Sequence, residues 1–475
     1  MEARIGAEEI AIVGLTADSR QVRPGFLFAA LPGVHADGRK FIADAVRNGA
    51  VAVLAPPGTR LPAQDVSLVV DENPRRRLAL MAARVYRRQP ATIAAVTGTN
   101  GKTSVAWFLS QIWAALGHPA ACLGTLGLFA PGIVEKGSLT TPDPVALHGQ
   151  LARLGAQGVE HLVLEASSHG LDQHRLDGVR ITAAAFTNLS RDHLDYHDSI
   201  EAYLAAKLRL FADLLIDGGT AVVNVDAEHG ARVLAVVRER GLAALTYGGG
   251  ADADLRLLGA LPRDDGQRLD VILRGRTPTV VDLPLAGAFQ ASNALCAAGL
   301  ALACGADADP VLAALAGLQP VPGRLQRVAL RDGAAVYVDY AHTPDALANV
   351  LMALRPFCRG RLSVVFGCGG DRDPGKRAPM GAIAARLADR VVVTDDNPRG
   401  ETPAAIRAAI LVGCPEAREI GDRAEAIAVA IAELAPGDVL LVAGKGHETG
   451  QIIGDRVLAF DDADVVREIV AGGAP

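Results

Sequence analysis

Residues 97–104 read Thr97-Gly98-Thr99-Asn100-Gly101-Lys102-Thr103-Ser104, with two glycines set closely before a lysine. It follows the apolar run Ile93-Ala94-Ala95-Val96 and opens a helix-prone stretch from Ser104 to Leu116. A strand, a glycine turn and a helix start, in that order, are the setting of a phosphate-binding loop. Glycines let the backbone bend so that its N–H groups converge on phosphate oxygens. The helix N-terminus adds partial positive charge. In such a loop Lys102 reaches the β- and γ-phosphates and the Thr103 hydroxyl ligates Mg²⁺. Gly98, Thr99, Asn100, Gly101 and Ser104 complete the expected ATP cradle. The standard pattern also has a glycine six residues before the lysine, and that position is Val96 here. The loop therefore indicates a nucleoside triphosphate, and a subset of the proteins that bind one.

A chain of 475 residues exceeds one ordinary core, and about two to four domains are expected. Apolar residues at 50% and charged residues at 21% describe a globular chain rather than a disordered one. A net charge of −6 without a long basic block argues against a nucleic-acid partner. Cys122, Cys296, Cys304, Cys358, Cys368 and Cys414 form no C-x-x-C pair, which predicts reduced thiols in a cytoplasmic protein. Met1-Glu2-Ala3-Arg4 carries no apolar signal core. No apolar run reaches the ~18 residues of a membrane span.

Three blocks emerge: 1–89, 90–322 and 323–475. The first holds the apolar segments 27–31 and 51–54, a helical pattern over 41–48, and a helix from Arg75 through Arg88. Gln89-Pro90 reads as a linker, because proline biases its predecessor away from helix. In the second block, apolar runs 162–164, 183–186 and 221–223 alternate with helical patterns, the rhythm of a mostly parallel α/β sheet. Strand-like alternation over 255–285 predicts an antiparallel appendage, followed by helices from about Ser292 and near Pro310 to Leu318. Pro320-Val321-Pro322-Gly323 marks the next boundary. The third block repeats the α/β rhythm with strands at 336–338, 362–366, 390–393 and 439–442.

Several strands end in loops that carry chemistry, where open α/β sheets hold ligands. Glu165 closes the run His161-Leu162-Val163-Leu164, the place for a Mg²⁺-linked carboxylate, although an acid that merely starts a helix fits as well. Residues 187–197 pack His193, His197, Asp192 and Asp195 into one loop, which suits metal or phosphate contact and equally a solvated loop. On periodicity alone Lys207 reads as a surface helix lysine. Three further loops lie at 367–377, 395–399 and 444–448. Each alone fits turn chemistry. Together they suggest a shared site for an anionic ligand.

These motifs together resemble the Mur ligases, the ATP-dependent amide ligases of peptidoglycan precursor synthesis. The match runs along essentially the whole chain, including Asp18-Ser19-Arg20 and residues 33–39, and Thr97–Thr103 is the family's phosphate-loop variant, without a glycine at Val96. The resemblance implies an α/β protein of three domains: a small α/β UDP-binding domain (1–89), a central ATPase-type parallel sheet (90–322) and a C-terminal Rossmann-like domain for the incoming amino acid (323–475). It implies a carbamylated Lys207 that joins Thr103, Glu165 and His193 in holding Mg²⁺, which revises the surface reading. A carbamate needs a neutral amine, hence a desolvated one. Lys102, Glu165, His193 and Lys207 are the implied catalytic residues. Asn293, Arg324 and Asp339 match positions that contact adenine, phosphate and ribose. Gln290 stands where many relatives have asparagine. Thr140, Thr141, Ser167, Gln173 and Arg175 match the muramoyl-dipeptide site, and Ser19 and His35 the uridine end.

Diaminopimelate-adding members carry a D-N-P-R loop, and Asp396-Asn397-Pro398-Arg399 stands intact here. meso-Diaminopimelate has a second carboxylate that lysine lacks, and a guanidinium is a planar fork for it. Arg372, Gly444 and Glu448 complete the implied pocket, with Glu448 facing an ammonium. The implied reaction joins meso-diaminopimelate to UDP-MurNAc-L-Ala-D-Glu through an acyl phosphate, in a monomer that uses ATP and Mg²⁺. An L-lysine-adding Mur ligase, a folylpolyglutamate synthase-like ligase and a P-loop NTPase switch are the alternatives.

Overall fold

The structure is a computed structural model and describes residues 2–5, 8–33, 36–62, 66–137, 139–190, 192–193 and 196–472. It divides into two compact units, Met1–Arg256 with Leu295–Val311, and Leu257–Ala294 with Leu312–Pro475.

The first unit opens with an antiparallel pair, Glu2–Ile5 and Glu8–Ala11, followed by a parallel sheet in the order Gly14–Thr16, Phe26–Ala29, Ala50–Ala55, Ser67–Val70. The helix Pro74–Val85 lays Leu78 and Ala82 on Leu27, Ala29, Ala52 and Leu54. Its start is encoded locally: Asn73 caps Arg76 N–H and Pro74 takes the first turn. It ends at Val85, short of the expected Arg88. Gln89 is not a free linker residue, because its carboxamide donates to Gly178 O at 2.8 Å and accepts from Arg180 N–H at 3.0 Å.

The larger sheet of this unit has Thr92–Thr97 at its centre, parallel to His161–Glu165 on one side and Ile181–Phe186 on the other. Ala120–Gly124 lies outside the first neighbour, and Leu215–Asn224 then Ala243–Gly248 outside the second, all parallel. Strands covered on both faces must be apolar throughout, and Ile93, Ala94, Ala95 and Val96 are fully buried. Val96 pairs with Glu165 and Ala185, so the strand continues where the standard loop would already turn. The bend comes later, at Gly98 (φ +150°) and Gly101 (φ +88°).

In the second unit a six-stranded sheet runs Gln326–Arg331, Ala334–Asp339, Val439–Ala443, Leu362–Phe366, Arg390–Val393, Arg418–Glu419. Only the first pair is antiparallel. Apolar clusters cover both faces, one around Leu347, Leu351, Met380 and Ile410 and the other around Ile427, Ile431 and Val466. The expected antiparallel appendage is present as Gly266–Leu273 paired with Thr279–Leu283. The next helix begins at Ala288, before the expected Ser292, directly after Gly287 (φ +95°). The following one is Ala308–Ala314, continued by a short 3₁₀ turn at Leu315–Gly317.

Candidate active site

The phosphate loop is strapped in place by the loop after the neighbouring strand. Asn188 accepts from Thr99 N–H through its backbone carbonyl at 2.9 Å and from Asn100 N–H through its side chain at 2.9 Å. Thr187 Oγ1 donates to Asn100 O at 2.6 Å. These bonds occupy the N–H groups of Thr99 and Asn100. The N–H groups of the first turn of the helix Lys102–Ala115 remain to face an anion, since a helix start leaves them without intrahelical acceptors. Lys102 Nζ lies across the loop, donating to Gly98 O and Thr99 O, both at 2.9 Å.

Glu165 sits at the carboxyl end of its strand, only 2% exposed. Its Oε2 accepts from Thr103 Oγ1 at 3.0 Å, and its Oε1 from Thr125 N–H at 2.8 Å. Its backbone carbonyl accepts from Thr141 Oγ1 at 2.7 Å. The net extends outward without a break. Thr125 Oγ1 is 3.0 Å from Thr140 Oγ1, and Thr141 Oγ1 is 3.0 Å from Ser167 Oγ. Arg175 donates to Thr141 O and Gln173 Oε1, both at 2.7 Å, and Gln173 donates to the Tyr196 hydroxyl at 3.1 Å. One bonded net thus joins Thr103 of the phosphate loop to Thr140, Thr141, Ser167, Gln173 and Arg175. Thr125 is the member that the sequence reading missed; its only signal was a Gly-Thr step after the strand Ala120–Gly124.

Lys207 is not on the surface. It is 1% exposed on the helix Ile200–Arg209, on the same face as Tyr203, one turn earlier. Its Nζ donates to Gly98 O at 2.8 Å and lies 4.3 Å from the Tyr203 ring centroid. Burial, and then the charge of Lys102, push its pKa well below the usual lysine value, against a small opposing pull from Asp192. Tyr203, whose hydroxyl is 3.2 Å from Thr99 Oγ1, ties this helix to the phosphate loop. His193 has φ +53° and a half-exposed ring, with Nε2 3.6 Å from Asp192 Oδ2. Its ring meets His169 at 4.9 Å and Tyr203 at 6.1 Å. Among the described residues no group of three or more His, Cys, Asp or Glu is arranged to hold a metal. Of the expected Mg²⁺ ligands, the structure bonds Thr103 to Glu165 and sets Lys207 against the loop carbonyl; no bond joins His193 to them.

Ser19 starts a short 3₁₀ turn, and its carbonyl accepts from Asn48 Nδ2 at 2.9 Å. His35 lies outside the described residues.

The remaining expected nucleotide contacts belong to the second unit. Asn293 Nδ2 donates to Gln290 Oε1 at 3.1 Å, and Gln290 donates to Arg324 O at 3.4 Å. The departure at Gln290 is therefore a bridge between Asn293 and the Arg324 backbone. The Arg324 guanidinium stacks 4.5 Å from the Tyr340 ring centroid. Asp339 accepts from Leu325 N–H at 2.6 Å and Ala341 N–H at 2.8 Å. Burial raises its pKa, and Arg324 and those two N–H groups oppose the rise.

The three carboxyl-end loops of this sheet do converge. Arg399 (φ +51°) donates to Gly370 O at 2.9 Å, which joins the 367–377 and 395–399 loops. Arg372 donates to the carbonyl of its neighbour Asp371 at 3.1 Å, and among the described residues no bond joins it to Arg399, Asn397 or Glu448. Asn397 Nδ2 donates to Glu448 Oε2 at 2.8 Å, which joins the 395–399 and 444–448 loops. Gly444 (φ +117°) leaves room for Asp396, whose Oδ2 a Cβ would approach to 2.6 Å. Beneath them the fully buried Arg423–Asp462 pair, 2.7 Å apart, also holds Ala443 O at 2.9 Å.

A parallel sheet with a strapped phosphate loop and an acid at the adjacent strand end, along with a second α/β sheet whose carboxyl-end loops are bonded together, defines a P-loop nucleotide-binding α/β protein. Three family models match it in succession: "Mur ligase family, catalytic domain" over residues 11–86, "Mur ligase middle domain" over 96–301 and "Mur ligase, glutamate ligase domain" over 323–446. The chain is 55% identical to a UDP-N-acetylmuramoyl-L-alanyl-D-glutamate–2,6-diaminopimelate ligase of Bradyrhizobium diazoefficiens, over 99% of this chain and 97% of that protein. A solved structure of an enzyme of that same name superposes with a TM-score of 0.75 at 35% identity, covering 97% of this chain and 95% of the other. A Mycobacterium tuberculosis folylpolyglutamate synthase solved with ADP and AMPPCP shares the fold alone, with a TM-score of 0.62 at 22% identity over 78% of this chain and 92% of that one. This chain belongs to the Mur ligase family.

Proposed function

We infer that this chain is an ATP-dependent ligase that joins meso-diaminopimelate to the D-glutamate γ-carboxylate of UDP-MurNAc-L-Ala-D-Glu, in peptidoglycan precursor synthesis. The observation that carries the reading is the Glu165 net. It bonds Thr103 of the ATP loop at 3.0 Å on one side and Thr141, on the acceptor side, at 2.7 Å on the other. A site built to pass a phosphoryl group from ATP to a bound carboxylate needs such continuity.

The γ-carboxylate oxygen attacks the γ-phosphorus of ATP, and ADP leaves with the electrons of the broken P–O bond. The amine of diaminopimelate then attacks the acyl carbon, loses a proton, and phosphate departs. Lys102 meets charge on the transferring group, and the first-turn N–H groups hold the phosphates in line. Mg²⁺ fits the donor set: the Thr103 hydroxyl, the Glu165 carboxylate and a carbamate on Lys207 are hard oxygen donors of the kind it takes beside phosphates. Bound there, it would neutralise phosphate charge. The desolvated Lys207 amine suits carbamate formation, and His193 is assigned to the same site by family resemblance. Asn293, Arg324 and Asp339 serve the nucleotide; Ser19 and the 33–39 loop serve the uridine end. Arg372, Asp396, Asn397, Arg399, Gly444 and Glu448 serve diaminopimelate. The domain division at 89 and 322, a monomeric state and a cytoplasmic setting belong to the same reading; no described helix is long and apolar enough to cross a membrane.

Sustained ADP release should require both UDP-MurNAc-L-Ala-D-Glu and diaminopimelate. Release at an equal rate with neither present would instead mark a hydrolytic switch.

A further inference from the structure

The second unit buries one ammonium that the reading above does not use. Lys445 has a side chain with no exposed surface, between Gly444 (φ +117°) and Gly446 (φ +56°). Its Nζ donates to Gly450 O at 2.7 Å, Asn397 Oδ1 at 3.0 Å and Glu448 Oε2 at 3.3 Å. An ammonium has three protons, so none is left for a ligand. Asn397 is also turned inward. Its Oδ1 accepts from Lys445 and from Ile452 N–H at 2.9 Å, while its Nδ2 holds Glu448 Oε2 at 2.8 Å. Glu448 is thereby fixed by one oxygen. Its Oε2 accepts two charge-assisted or amide bonds, its Oε1 has no partner among the described residues, and the side chain is 34% exposed.

We propose that Lys445, acting with Asn397, is a positioning residue that clamps Glu448 Oε2 and so presents Oε1 as a single oriented acceptor for an ammonium of the incoming amino acid. This rests on the assignment of Glu448 to the amino-acid pocket. A fixed acceptor discriminates because a ligand without the matching ammonium leaves it unpaired. Lys445 never touches the amino acid; its effect passes wholly through Glu448. That separates it from a lysine that only holds two loops together.

The test is a double-mutant cycle in the full-length enzyme, read as KM and kcat for meso-diaminopimelate at saturating ATP, with melting temperatures alongside. Glu448→Gln should raise the diaminopimelate KM by about tenfold or more. Lys445→Met should do the same, with kcat and the ATP KM little changed. The double variant should be no worse than Glu448→Gln alone. If Lys445→Met multiplies the KM in full on the Glu448→Gln background, or leaves the KM unchanged in a folded enzyme, the positioning role is overturned. If Glu448→Gln itself leaves the KM unchanged, the pocket assignment falls, and the proposal with it. Lys445→Gln, which keeps a donor at the same place, carries the cycle if the methionine variant does not fold.

Discussion

An amine without solvent contact between a backbone carbonyl and a tyrosine ring cannot keep its proton cheaply, and Lys207 is in that position. Because its folded pKa is lowered from 10.5, the unfolded chain binds more protons in the window between the two values. The group therefore costs stability at neutral pH, and the cost fades as pH rises toward the unfolded value. The same lowering supplies the neutral amine that CO₂ requires. Lys207→Ala should cut kcat by roughly a hundredfold, as loss of one charge-stabilising group at a phosphoryl site does. Exhaustive CO₂ removal should lower the wild-type rate, and bicarbonate should restore it. A wild-type rate indifferent to CO₂ would remove the carbamate. The burial was not legible from periodicity, which counts Lys207 as one polar residue on a mixed helix. Its environment comes from Gly98, Lys102 and Asp192, and only folding brings those distant residues together. Lys445 escaped for the same reason: the 444–448 loop reads as a ligand loop, but which of its side chains turn inward depends on Asn397 and Gly450.

At the scale of elements, the strand Thr92–Thr97, its two glycines and the helix Lys102–Ala115 were readable because every signal is local. The strap from residues 187–190 was not, since it arrives from a neighbouring strand. It explains why Gly98 must be glycine: a Cβ there would collide with the Thr187 hydroxyl, and φ is +150°. Gly98→Ala should loosen ATP binding measured by titration calorimetry by about tenfold or more, matching strain of about 1–3 kcal/mol. The far-UV circular dichroism should be unchanged. Unaltered ATP affinity would show that the strap does not set the loop. Helix ends were less readable. The helix starts at Ala288 after Gly287, whose φ is positive and which has no side chain to cap the first turn as Ser, Thr, Asp or Asn would. The strand ends that carry the acid and the ligand loops were visible because apolar runs stop abruptly at Glu165, Asp339 and Gly444.

Across the whole molecule, the work is divided. On the proposed reading, the unit with the phosphate loop holds the triphosphate and the carboxylate to be activated, while Asn293, Arg324 and Asp339 of the other unit add nucleotide contacts. The proposed choice of amino acid lies in the unit with Arg399 and Glu448. The first was legible as chemistry; the second became legible only through the family's D-N-P-R loop, since a lone arginine after a strand fits many turns. The most direct test of that choice is an amino-acid panel with the unmodified enzyme, UDP-MurNAc-L-Ala-D-Glu and ATP, read by mass spectrometry of the nucleotide product. meso-Diaminopimelate should be incorporated far faster than L-lysine, because lysine brings no second carboxylate to the Arg399 guanidinium. Incorporation of L-lysine at an equal or greater rate would contradict the account.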